Sequence, residues 1–363
     1  MAPIKSRRLR RRLKIELHHL TAVQPSNRLW QMPFTAALTS GLPLLIGAYF
    51  DRMDYGLVSS LGGLVFLYLD NSPLHHRMVS LMACAFAMIA CYTLGVMSHF
   101  VAAAMMPALV FVSILVTMAC RFYRLGPPGS LFFVMAASIG AYSPVPLMQL
   151  PVSVGLLSLG SLLACMIAFV YSILTLRLRP PAPVKPLPSP SFDFVVFDSV
   201  VIGLAVGVSL ALAQLLQLER PYWVPVSCLA VIQGASLRAV WNRQVHRIVG
   251  TGIGLLLAWC LLLLPLDRWT VSLTMMALTF VIETAVVRHY AFAAIFITPL
   301  TILLAEAARL GLGSPATLIQ ARFVDTLLGC AVGLVGGVCL HSPRFRAVVG
   351  PLLRRMVPAR LRV

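Results

Sequence analysis

The stretch WNRQVHRIVGTGIG (241–254) sets Arg243 and Arg247 four residues apart and follows them with Gly250, Gly252 and Gly254. Arginine grips carboxylate or phosphate through two parallel hydrogen bonds, so anion binding is the first chemistry to consider. A phosphate-cradling glycine loop is the second. The glycines fall at every other position, which is not the dinucleotide pattern, and no strand-like run precedes them. On a helix, 243, 247, 250 and 254 step by four, three and four and share one stripe. The stretch then reads as two arginines at the foot of a face whose Gly250 and Gly254 admit a neighbouring backbone.

Further charges surround this one. Arg238 joins Arg243 and Arg247, while Arg77, Arg121 and Arg288 end neighbouring apolar runs on the same side. With the positive N-terminal end of a helix they make a site for a carboxylate or phosphate group; the same charges also serve as topogenic residues meeting lipid headgroups. Tyr222 and Trp223 stand at an opposite boundary, as interface anchors or as stacking partners for an aromatic solute. Acids within or beside apolar runs are Asp198, Glu283, Glu306 and Asp325. Arg322 and Asp325, three apart, are expected to pair on one helix face. Asp198 and Glu283 have no such neighbour and are the expected proton-coupling groups. His75, His76, His246 and His289 share one side, without the spacing of a metal site. No metal site or cofactor is expected. No GxSxG or spaced nucleophile–base set indicates an enzyme.

These groups sit in a chain of 363 residues that is 59% hydrophobic and 11% charged, with a mean hydropathy of +0.90. Soluble domains carry about 25% charged residues, so an all-α polytopic membrane protein is expected. Apolar runs near bilayer length fall at 33–50, 56–70, 78–98, 100–120, 130–147, 152–176, 194–217, 222–234, 244–264, 269–287, 290–305 and 322–340, twelve spans in all. With the N-terminus inside, all of the 29 basic residues except Arg52, Arg220, Arg268, Arg309 and Arg322 fall on the cytoplasmic side. Both termini are therefore expected in the cytoplasm. The basic stretch KSRRLRRRLK (5–14) reads as an arm along that membrane face and not as a cleaved signal. The eight cysteines lie inside apolar runs as small buried residues.

The two halves are alike. DRMDYGLVSSLGGL (51–64) lies opposite ERPYWVPVSCLAVI (219–232), HHR (75–77) opposite VHR (245–247), and RFY (121–123) opposite RHY (288–290), at an offset of about 168 residues. Six spans per unit makes a parallel repeat, its halves related by an axis along the membrane normal. The expected organisation is a basic cytoplasmic arm (1–29), a first six-span repeat (30–176), a Pro-rich cytoplasmic linker (177–192), a second six-span repeat (193–341) and a basic tail (342–363).

The motifs YWVP (222–225), NRQVHRIVGTGIG (242–254), RHYAFAAIFITPLTILL (288–304) and ARFVDTLLGCAVGL (321–334), in that order, resemble the fusaric acid resistance family of bacterial inner-membrane proteins, the aromatic acid exporters. The plant aluminium-activated malate transporters are a more distant likeness. The resemblance implies efflux of organic, often aromatic, acids across the inner membrane, with a periplasmic adaptor protein as partner. It places the family's motif positions at Tyr222, Arg243, Arg247, Arg288, Arg322 and Asp325. Where many members insert a large cytoplasmic domain, only 177–191 stands here. A gated organic-anion channel and a non-transporting envelope assembly protein are the alternative readings. The expected partners are the lipid bilayer, a small organic anion, the adaptor and further copies of the chain, and not nucleic acid.

Overall fold

The protein is seen as a computed structural model that describes residues 23–26, 28–184, 191–306 and 315–356, without the side chains of residues 305, 306, 315 and 356. The basic stretch at 5–14, part of the linker, Arg309 and the last residues of the tail lie outside the described residues. Among the described residues all regular structure is helical.

The helices are α1 (Gln31–Tyr49), α2 (Met53–Gly63, extended by a 3-10 turn, Leu64–Tyr68), α3 (Leu74–His99), α4 (Ala102–Phe122), α5 (Leu131–Ala141), α6 (Leu150–Leu178), α7 (Asp198–Leu215), α8 (Trp223–Ile232), α9 (Leu237–Leu262), α10 (Arg268–Ala285), α11 (Tyr290–Glu306), α12 (Pro315–His341) and α13 (Pro343–Met356). Local signals start several of them. Ser236 caps α9 by accepting from the Ala239 amide. Asp267 caps α10 in a reciprocal box with Thr270.

Seven helices are long and apolar enough to cross a membrane: α1, α3, α4, α6, α7, α9 and α12, the sixth and seventh of the expected runs extended by the short turns that precede α6 and α7. This is a multi-pass membrane protein, but the expected twelve full spans are not all of spanning length. The run at 130–147 forms a helix only to Ala141, and that at 222–234 only ten residues, Trp223–Ile232. Ten residues rise about 15 Å, half the hydrocarbon core. All ten are buried. The apolar character of α8 therefore answers to neighbouring helices, not to lipid.

Packing repeats along the chain. Helix α3 packs on α5 and α2 on α6; α9 packs on α11 and α8 on α12. Two further seams, α4 with α7 and α1 with α10, join the first six helices to the second six. Matching glycines set matching contacts. A Cβ on Gly160 would strike the Ser59 carbonyl, between α6 and α2. A Cβ on Gly329 would lie 2.6 Å from the Ser227 Cβ, between α12 and α8.

The small-residue stripe of α9 does what its spacing predicts. A Cβ on Gly250 would lie 2.5 Å from that of Ala294, and one on Gly254 would strike the Ile295 carbonyl, both on α11. Gly252, off the stripe, faces open space. Valine at 250 or 254 is expected to destabilise the protein by about 2 kcal/mol through overpacking. Alanine at 252 should leave it unchanged or more stable by up to about 1 kcal/mol. Thermal unfolding in detergent checks the contrast.

Candidate anion site

Where α12 lies against α8, Gly329 and Gly333 bring the helices to backbone contact; a Cβ on Gly333 would lie 2.7 Å from the Cys228 carbonyl. Nearer the start of α12, Arg322 and Asp325 enter the same interface, 4% and 1% exposed. The Arg322 guanidinium stacks over the buried Trp223 ring, 4.4 Å from its centroid, an arrangement in which ring and cation attract. Arg220, Trp223, Thr301, Ile302, Leu318, Arg322 and Asp325 line a recess with room for about one water molecule.

The expected Arg322–Asp325 ion pair is not made. Neither carboxylate oxygen of Asp325 has a hydrogen-bond partner, nor do Nε and Nη1 of Arg322. Trp223 takes the face of the guanidinium and leaves its edge, where the N–H donors lie, open. On α9, buried Arg247 also has an unpartnered Nε, and Oδ1 of Asn242 and Oε1 of Gln244 are unmatched beside it. Arg247 and Arg322 are close enough for their charges to interact. An arginine stays protonated in a protein, and a buried charge without a counter-ion is strongly unfavourable. The arrangement thus presents positive charge, unused N–H donors and an aromatic face to whatever enters.

The other predicted residues go elsewhere. Buried Arg77 donates from Nε to the Ser72 carbonyl (2.6 Å) and from Nη2 to Asn71 Oδ1 (2.7 Å), so it fastens the turn before its own helix. Arg121, at the end of α4, donates from Nη1 to Asp198 Oδ2 (2.7 Å) and to the Phe194 carbonyl (3.2 Å). Arg346 of α13 donates from Nη2 to the other oxygen of Asp198 (2.5 Å). Asp198 is therefore held by two arginines and is not the unpaired proton acceptor its sequence neighbours imply. Glu283 is corrected in the same way: Arg28 Nη1 donates to its Oε2 (3.1 Å) and to its carbonyl (3.0 Å). Arg288 is exposed and Arg243 half-buried. The Tyr222 ring packs between Tyr142 and Trp223, at 5.9 and 5.3 Å. The rings of His246 and His289 lie 5.0 Å apart, and among the described residues no group of three His, Cys, Asp or Glu side chains is placed to hold a metal.

Two residues absent from the sequence reading, Arg28 and Arg346, thus hold the two acids singled out there. A π-helical turn, Asp193–Phe197, makes the second junction possible. It lets Asp193 reach Arg354 (2.9 Å) while Phe194 and Phe197 stack under Arg121 and Arg346 (4.7 and 4.9 Å). Asp198→Asn is expected to lower stability by about 2 kcal/mol, because it leaves two partly buried arginines unmatched. Arg346→Gln, which removes one of two partners, should lower it by about half as much. Unfolding midpoints of both variants measure this.

Residues 204–336 match the model of a family described as fusaric acid resistance protein-like. An uncharacterized membrane protein, YvaC of Bacillus subtilis (strain 168), is 30% identical over 149 residues, a match covering 41% of this chain and 22% of that protein's length. No solved structure matches the chain. The resemblance carried by the sequence motifs is thereby borne out: the stretch that builds α8, the arginine-bearing α9 and the Arg322–Asp325 segment of α12 is the stretch similar to the fusaric acid resistance proteins.

Proposed function

We propose that the protein is a transporter that exports small organic, often aromatic, acids from the bacterial cytoplasm across the inner membrane. One observation carries this reading. Two buried arginines on helices of membrane-spanning length, Arg247 and Arg322, have guanidinium nitrogens without partners, and one of them lies on a tryptophan ring. Charge inside a membrane bundle marks a solute pathway, and unpaired guanidinium beside an aromatic face fits a carboxylate on an apolar body.

The anion site thereby moves from the cytoplasmic surface into the bundle. Arg243, half-buried one turn before Arg247, is the approach to it, and Arg288 belongs to the entrance. The same reading takes α1 to α12 as two parallel six-helix repeats with both termini cytoplasmic. The twin packing of α2 on α6 and α8 on α12, the Gly160 and Gly329 contacts and the one-sided basic residues support it. A periplasmic adaptor and self-association complete the proposal and are open to cross-linking in intact cells.

The test compares release of a panel of aromatic acids from cells with and without the protein, with and without an uncoupler. Cells with the protein should release at least one acid with which they have been loaded faster than cells without it. Arg322→Gln, inserted at the normal level, should weaken binding roughly tenfold or more, since a charged hydrogen bond contributes about 1.5–3 kcal/mol, and should slow that release. Unchanged export by that variant refutes the site. A steady current in patched proteoliposomes would make the protein a channel.

A further inference from the structure

Among the described residues three carboxylates are buried: Asp198, Glu283 and Asp325. Arginines hold the first two. Asp325 is the most enclosed, at 1% exposure, and both its oxygens lack a partner although a guanidinium stands three residues away on the same helix. The carboxyl therefore leaves the guanidinium edge open, the arrangement an anion on Arg322 requires, and in its protonated form burying it there is far less unfavourable.

The charges around Asp325 are few. Arg322 shares its helix. Arg220 and Glu219, from the loop before α8, act on it with opposite signs. Helix α8 presents Trp223, and α11 presents Thr301 and Ile302. Arg247 of α9 acts on Arg322 but does not line the recess. Helix α7 also packs on α12, and its charged group, Asp198, is already paired with Arg121 and Arg346. The arginines of α13 include Arg346 and Arg354, each on an acid of the turn before α7.

An organic anion reaching Arg322 would have to part the helices around this recess, which has room for about one water molecule, and would then share it with Asp325. Two carboxylates in one such site do not both ionise. We infer that Asp325 carries a proton with the transported anion, so that the acid crosses as anion plus proton with no net charge. As the anion binds Arg322, the Asp325 carboxylate takes one proton from water on that side and becomes a carboxyl. As the anion leaves on the other side, the proton returns to water there, and the carboxylate is free to occupy Arg322 in its place. Asp325 is a positioning and proton-carrying residue in this scheme, and the scheme rests on the export reading above.

The experiment uses the full chain in proteoliposomes with benzenesulfonate, which stays ionised and brings no proton of its own. Wild type should move one proton per anion, read by an enclosed pH dye, and its final anion ratio should ignore an imposed potential. Asp325→Asn should move the anion without protons, and about 100 mV should shift its ratio roughly fiftyfold, the factor for one elementary charge. Asp325→Glu should keep the proton. Charge movement without protons in wild type, or protons still moving with Asp325→Asn, overturns the inference. Infrared difference spectra in detergent give an arm independent of transport. Adding benzenesulfonate to wild type should raise a protonated-carboxyl band that Asp325→Asn lacks, and its absence from wild type also overturns the inference. A wild type that shows the band but moves no anion refutes the export reading and leaves the proton on Asp325 in place.

Discussion

Close approach of helix backbones underlies every feature of the second half. Lipid offers no hydrophobic drive for helices to associate, so their contact depends on packing. Gly329 and Gly333 set α12 onto α8, and Gly250 and Gly254 set α9 onto α11. The four helices close so tightly that the guanidinium groups of Arg247 and Arg322 are sealed from water with donors unused. A looser bundle would hydrate them and screen their charge.

The buried acids show how neighbours decide the fate of one residue type. Asp198 stands where α4, the π-helical turn and α13 converge, and each of the outer two brings an arginine. Glu283 meets the segment that leads into α1. Both are spent on holding elements together. Asp325, three residues from an arginine, makes no hydrogen bond to it, and that guanidinium lies on the Trp223 ring.

Much of the scaffold was legible in the sequence. The apolar runs marked the helices, and the spacing of 250 and 254 named the face of α9 that meets α11. Hydropathy, however, registers an apolar residue without telling lipid from protein, so the wholly enclosed α8 read as a span. The site was legible in its residue types but not in its pairings. Arg28 and Glu283 are 255 residues apart, and Arg346 and Asp198 are 148 apart. Neither separation leaves a local pattern. The one pairing rule that does act locally, three residues along a helix, pointed to Arg322 and Asp325, and the two make no hydrogen bond.

Two of the seams between the first and second sets of helices share a polarity in their buried ion pairs. Where α4 meets α7, the arginine, Arg121, comes from the first half and the acid, Asp198, from the second. Where α1 meets α10, the arginine, Arg28, again precedes the first half and the acid, Glu283, again lies in the second. At this end of the molecule the first set and its lead-in bring the arginine to both seams and the second set the acid; at the other end of α1 the order reverses, and Asp51 meets Arg268. Two first halves brought together in this geometry would set Arg28 against Arg121, and two second halves would set Asp198 against Glu283. Repulsion bars like from like, while the natural match satisfies both junctions at once. The two sets of helices thus carry complementary charges at these two buried junctions, and a chain divided within the linker would yield fragments whose charges there match each other and not themselves.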